Sequence, residues 1–237
     1  MTEQHLTDNG HLDRQATVPE IALKPCDLAS LDTHVRRINE LSSSVSAVDN
    51  GARLELVAAA RRLVRALETP RETMIKHCWA QPSAMTALTT CVELGLFKVM
   101  AENDGKGKTS TDLTGAVGAD SALVGRFLRH LSAMGYVKET GADEYAPTNF
   151  TRSLCLPIIS AGYPFMSGGL LASNINLHEY MRKTGYRVPS NALDGPYQYA
   201  YGTSKDFFEH LQGRPPFGDL FNLHMYLGAS YCKTYQR

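Results

Sequence analysis

The 237-residue chain has no run approaching the roughly 18 consecutive apolar residues of a membrane-spanning helix. It has no charge excess either. Lys plus Arg and Asp plus Glu are 24 each, a balance unlike that of proteins held to nucleic acid through phosphates. Cysteine is scarce and scattered, at Cys26, Cys78, Cys91, Cys155 and Cys232, with no pair at the two-residue spacing of a metal or redox motif. Such a set fits reduced thiols, and a cytoplasmic location is the expectation. Met1 to Asp8 is polar and lacks the apolar core of a signal peptide. Neither G-x-G-x-x-G nor G-x-x-x-x-G-K-[ST] occurs, and no buried strands alternate with helices, which argues against a doubly wound nucleotide-binding sheet. Hydrophobic residues at 43% and charged residues at 20% exclude a wholly disordered chain.

What the chain does contain is helical rhythm. Residues 1–25 read as a flexible polar tail, and 26–80 as two long amphipathic helices. Leu28, Leu31, Val35, Ile38, Leu41, Val45 and Val48 step by three or four, one helix face kept for about six turns. Asp49-Asn50-Gly51 is expected to break it. Leu56, Ala60, Leu63, Val64 and Leu67 mark the second face, which Pro70 ends. Stripes of that length are expected to pair with a second copy of the chain.

Residues 81–155 change pattern. A helix is expected from Ser83 to Met100, burying Met85, Leu88, Val92, Leu96 and Val99, followed by a polar loop, 102–108. Thr109-Ser110-Thr111-Asp112 has the form of a capping box. Asp120 is placed to cap the next helix, with Leu123, Val124, Phe127, Leu128 and Leu131 inward and Gly135 at its end. Two short strands, near 136–140 and 144–148, flank a turn at Gly141-Ala142-Asp143. Helices followed by a β-hairpin in this order make a winged helix. Its third helix carries Arg126, Arg129 and His130, but Asp143 and Glu144 on the wing oppose phosphate contact, so a structural role is expected and no nucleic acid.

Residues 156–227 are helical again, and 228–237 form a tail of different character. His178 and His224 have no ligand-spaced partner, so no catalytic residue and no metal are assigned. The run Pro196-Tyr197-Gln198-Tyr199-Ala200-Tyr201-Gly202-Thr203, followed by Phe207, Phe208, Phe217, Phe221 and Met225, is dense in aromatics. It reads either as core or as a wall for a flat ligand. The expected fold is mainly α: N-terminal dimerisation helices, a winged helix with a small β-hairpin, a helical substrate-pocket segment, and no Rossmann sheet.

Taken in order, Met85-Thr86-Ala87-Leu88, Glu93-Leu94-Gly95-Leu96-Phe97, Leu128-Arg129-His130-Leu131, Tyr145-Ala146-Pro147-Thr148, the 195–203 run and Phe221-Asn222-Leu223-His224-Met225 carry a resemblance. Across about residues 30–227 the chain resembles the N-terminal half of fungal secondary-metabolite S-adenosylmethionine-dependent O-methyltransferases. The resemblance implies a helix-exchanged homodimer, or a heterodimer with a full-length paralogue, and a structural winged helix. It implies that Tyr201, Phe207, Phe221 and Met225 line a pocket for a small aromatic or polyketide ligand, with Phe221 and Met225 at the edge of the donor site. The family's donor domain needs on the order of a hundred residues. Ten follow Leu227, so the chain is expected to be a shortened member, inactive alone and without tight donor binding. A non-catalytic partner or regulatory protein, or a non-methylating pocket protein, is the alternative.

Overall fold

The computed structural model describes residues 18–45 and 50–235, with side chains described up to residue 226. The expectations for residues 1–17 and for Val48 and Asp49 lie outside the described residues. The chain divides into two compact units, at Ala80 and Gln81.

In the first unit, a short turn at Glu20–Ala22 occupies part of the segment read as tail. Helices α1 (Leu31–Ser42), α2 (Asn50–Leu67) and α3 (Pro70–Ile75) follow. α1 packs on α2, and Arg37 reaches Glu55 across them at 3.0 Å. The long single stripe is not one helix. Ser43 and Ser44 turn out of α1 after three turns, and Ser42, Ser43 and Ser44 all fold their hydroxyls back onto carbonyls of the last turn. Serines at a helix end compete for the backbone in this way. Asn50 and Gly51 lie within α2 rather than breaking the chain. On α2 the buried positions are Ala59 and Ala66, so the expected face is rotated: Ala60, Val64 and Leu67 are exposed. Pro70 does not end α2, which stops at Leu67. Pro70 instead opens α3, where a missing N–H costs nothing, behind a capping box between Thr69 and Glu72.

The second unit opens with α4 (Gln81–Glu93) and α5 (Leu96–Ala101). The single helix expected from 83 to 100 breaks because Gly95 takes φ +69°, a left-handed conformation that Gly adopts without penalty. β1 (Lys108–Thr109), missed in the sequence, pairs with β3. α6 (Ser110–Val117) and α7 (Ser121–Ala133) then form. The Thr109–Asp112 capping box and the Asp120 cap, whose carboxylate accepts from Leu123 N at 2.8 Å, start them as expected. Gly135 takes φ +76°, and Tyr136 N donates to Leu131 O at 2.9 Å, closing α7.

β2 (Val137–Gly141) and β3 (Glu144–Pro147) make the wing, in an antiparallel sheet of order β1-β3-β2. Register runs from Val137 opposite Pro147 to Glu139 opposite Tyr145 and then slips to Gly141 opposite Glu144. The core brings together Leu88, Cys91, Leu96, Phe97, Met100, Leu113, Val124, Leu128, Leu131 and Tyr145. Leu123, expected inside, is exposed at the start of α7, while Gly125 takes a buried place.

Beyond the wing are α8 (Asn149–Ser153), α9 (Pro157–Ser160), α10 (Gly162–Pro164), a π-helical stretch over Phe165–Leu170, α11 (Leu171–Ile175) and α12 (Leu177–Lys183). The last three helices are α13 (Pro196–Tyr201), α14 (Phe207–Gln212) and α15 (Phe217–Tyr235). The backbone of 228–235, read as a separate tail, continues α15. The sheet is three-stranded and antiparallel, with no Rossmann arrangement among the described residues.

Candidate functional site

The aromatic run condenses into a ladder of rings. Tyr197 and Tyr201 are four apart on α13 and share one face, with centroids 4.7 Å apart. Phe207, at the start of α14, meets Tyr197 edge-on at 5.0 Å and Phe221 of α15 at 5.5 Å. Phe221 continues to Phe165 at 5.4 Å, and Phe165 to His224 at 5.7 Å. Edge-to-face geometry is what ring quadrupoles prefer. Of the four residues singled out in the sequence, Tyr201, Phe207 and Phe221 therefore join one cluster. Met225 lies one turn beyond Phe221 and is 48% exposed, with Tyr226 beside it at 67%.

Polar groups punctuate this ladder. Tyr197 Oη lies 3.0 Å from His210 Nδ1. Tyr201 donates to Gly168 O at 3.2 Å. Arg214, between α14 and α15, donates through Nη2 to the same carbonyl at 3.4 Å. Its guanidinium stands 5.1 Å from the Tyr201 ring and 4.9 Å from the Phe217 ring. Burial raises both tyrosine hydroxyls above their ordinary pKa; the Tyr201 phenol raises Tyr197 further, and the Arg214 charge opposes the shift in both. Burial lowers the pKa of His210, and the cations Arg214 and Lys205 lower it further.

Glycines of α10 and of the π-helical stretch make this packing feasible. A Cβ on Gly168 would lie 2.3 Å from Phe217 Cζ, and one on Gly162 would lie 2.8 Å from His224 Nδ1. Gly168 and Gly169 thus serve close packing. Tyr197, His210 and Arg214 were not among the expected site residues. Their signals were faint: the four-residue spacing of Tyr197 from Tyr201, and of His210 from Arg214.

Two clefts lie elsewhere in this unit. One, of about 500 Å³, runs between α4 and α7 and is lined by Pro82, Thr86, Leu123, Phe127, Arg126 and His130. The other, of about 750 Å³, is lined by Tyr180, Lys183, Asp194, Tyr199 and Thr203, with Lys183 Nζ over the Tyr199 ring at 5.2 Å. His178 is exposed and its Nδ1 meets Ile175 O at 2.9 Å. Among the described residues no group of three His, Cys, Asp or Glu side chains is placed to hold a metal. No helix among them is long and apolar enough to cross a membrane.

The winged helix decides the relationship. Residues 82–155 match the O-methyltransferase dimerisation domain. The chain is thus related to the O-methyltransferases. It is 29% identical to the O-methyltransferase mfmE of Annulohypoxylon moriforme over 79% of this chain and 47% of that relative. It is 26% identical to the O-methyltransferase kntB of Aspergillus niger over 90% of this chain and 53% of that relative. The chain spans about half the length of the curated relatives it matches. Among solved structures, OxaC in complex with SAH and oxaline superposes with a TM-score of 0.72 at 20% identity, over 83% of this chain and 50% of OxaC. LepI in complex with SAM superposes with a TM-score of 0.71 at 24% identity, over 82% of this chain and 49% of LepI. At these identities the superpositions establish the fold.

Proposed function

We propose that this chain is the dimerisation and acceptor-binding half of an S-adenosylmethionine-dependent O-methyltransferase of fungal natural-product biosynthesis. The observation that carries the reading is the aromatic ladder hung directly behind an O-methyltransferase dimerisation domain. Tyr197, Tyr201, Phe207 and Phe221 offer ring faces and edges for a flat phenolic or polyketide acceptor, and Met225 is an adaptable apolar flank.

The described residues do not fit the donor. Their sheet is antiparallel, and no glycine-rich turn leads from a strand into a helix N-terminus where a nucleotide would sit. No step of methyl transfer is therefore assigned to them; their part is to bind and orient the acceptor. Donor binding is not assigned to the described residues, and the chain alone is expected neither to hold the donor tightly nor to transfer methyl groups.

Calorimetric titration with S-adenosylmethionine tests this directly: no saturable heat is expected in the micromolar range, and saturation there would overturn the division of labour. Sedimentation velocity tests the dimer. A species of twice the chain mass is expected, and a monomer at all concentrations would remove the dimerisation role. Tyrosine fluorescence tests the pocket. Quenching by a flat phenol is expected in the wild type and at least about tenfold weaker in Phe221→Ala.

A further inference from the structure

Three side-chain polar atoms among the described residues are buried without a hydrogen-bond partner: Tyr145 Oη, His224 Nδ1 and Arg214 Nη1. Only the last belongs to a permanently charged group. A guanidinium nitrogen removed from water with no acceptor is a standing cost, larger than that of a neutral donor. The ring faces of Tyr201 and Phe217 offset part of it.

The side chain is also held in place. Nη2 is fixed on Gly168 O, and the Phe217 ring lies so close to Gly168 that a Cβ there would have to displace it. The carboxylates nearest in sequence are otherwise engaged. Asp206 caps α14 through Glu209 N at 2.9 Å, Glu209 pairs with Lys205 at 3.0 Å, and Asp219 is exposed.

We infer that the Tyr197–Tyr201–Arg214 cluster is an anion-reading subsite, in which Arg214 Nη1 pairs with a carboxylate or ionised phenolic oxygen carried by an aromatic ligand. The inference rests on the reading of the ladder as an acceptor pocket and adds the charge of the acceptor to it. A ligand oxygen that displaces the packing over Nη1 gains a charge-assisted hydrogen bond from a guanidinium already anchored through Nη2, while its ring stacks in the ladder.

The test compares two probes of nearly equal shape, 2-hydroxybenzoate and 2-hydroxybenzamide, titrated at pH 7 against the wild-type chain, Arg214→Met and Arg214→Lys. The carboxylate is expected to bind at least about tenfold more tightly than the amide in the wild type. Arg214→Met should erase that preference, and Arg214→Lys should keep part of it. The wild-type comparison needs no variant, so a misfolded Arg214→Met leaves the proposal falsifiable. Equal binding of the two probes, or a preference that survives in Arg214→Met, overturns the anion subsite and leaves the acceptor pocket standing. Failure of both probes to bind overturns the subsite and the pocket together.

Discussion

The helical hairpin of α1 and α2 and the winged helix are both built from amphipathic helices, yet they finish differently. In the first unit the buried apolar residues are Leu41, Ala59 and Ala66, while Leu28, Val35, Leu54, Val64, Leu67, Met74 and Trp79 are exposed. In the winged helix, Leu96, Met100, Leu113, Val124, Leu128 and Leu131 are fully enclosed. The difference is geometric. Helices α4 to α7 close on one another and on a sheet, so each stripe has a cover within its own unit. Two helices alone have one shared face, and their remaining apolar surface stays open. A patch of that kind marks an interaction surface, which fits the proposed dimer.

The largest expected contrast between the two regions is chemical. Cys91 is fully buried, and burial pushes its thiol up to about 12. Cys26 and Cys78 are exposed. Brief alkylation at pH 8 followed by peptide mapping should modify Cys26 and Cys78 and spare Cys91 until the chain is denatured. Early labelling of Cys91 would show that the winged-helix core opens readily.

Next comes a paired truncation. Leu128→Ala removes a fully enclosed side chain and should cost about 2–5 kcal/mol in denaturant unfolding. Val35→Ala, at 40% exposure, should cost under about 0.5 kcal/mol in the monomer. A Val35→Ala penalty that grows with protein concentration would show that a second copy covers this face. Gly168→Ala sharpens the comparison within the second unit. The added methyl meets the Phe217 ring and should cost about 1–3 kcal/mol. Phe217→Leu in that background should recover part of the loss, which thermal melts would read.

The smallest effect is a pH dependence. His210 has a folded pKa below its ordinary value of 6.5, so over the window between the two the unfolded chain binds more protons. Its contribution to stability is present above pH 6.5 and is lost as pH falls through the lowered value. The midpoint of unfolding should decline more from pH 7 to 5 in the wild type than in His210→Gln.

Much of the winged helix was legible because its signals are local. Thr109 with Asp112, Asp120 and Gly135 act within one turn of themselves, and each performs the capping task that its residue type predicts. The mainly helical fold followed from periodicity. Errors arose where local signals competed. Gly95 lies inside the helix expected from Ser83 to Met100 but takes a left-handed conformation, and β1 is two residues long, too short for any alternation. The candidate site was half legible. Tyr201, Phe207 and Phe221 stood out by density, whereas Arg214, beside Pro215 and Pro216, was not singled out.

By itself, then, the sequence determined which segments become helices, where they are capped and which stripes are apolar, because those properties depend on neighbours within four residues. The tertiary structure alone decided which face of α2 is buried, that Leu123 stays outside, and that Arg214 comes to lie between two rings with one nitrogen unpartnered. Those outcomes depend on what a side chain meets across tens of residues of chain, as Arg214 meets Gly168, and no local rule carries that information.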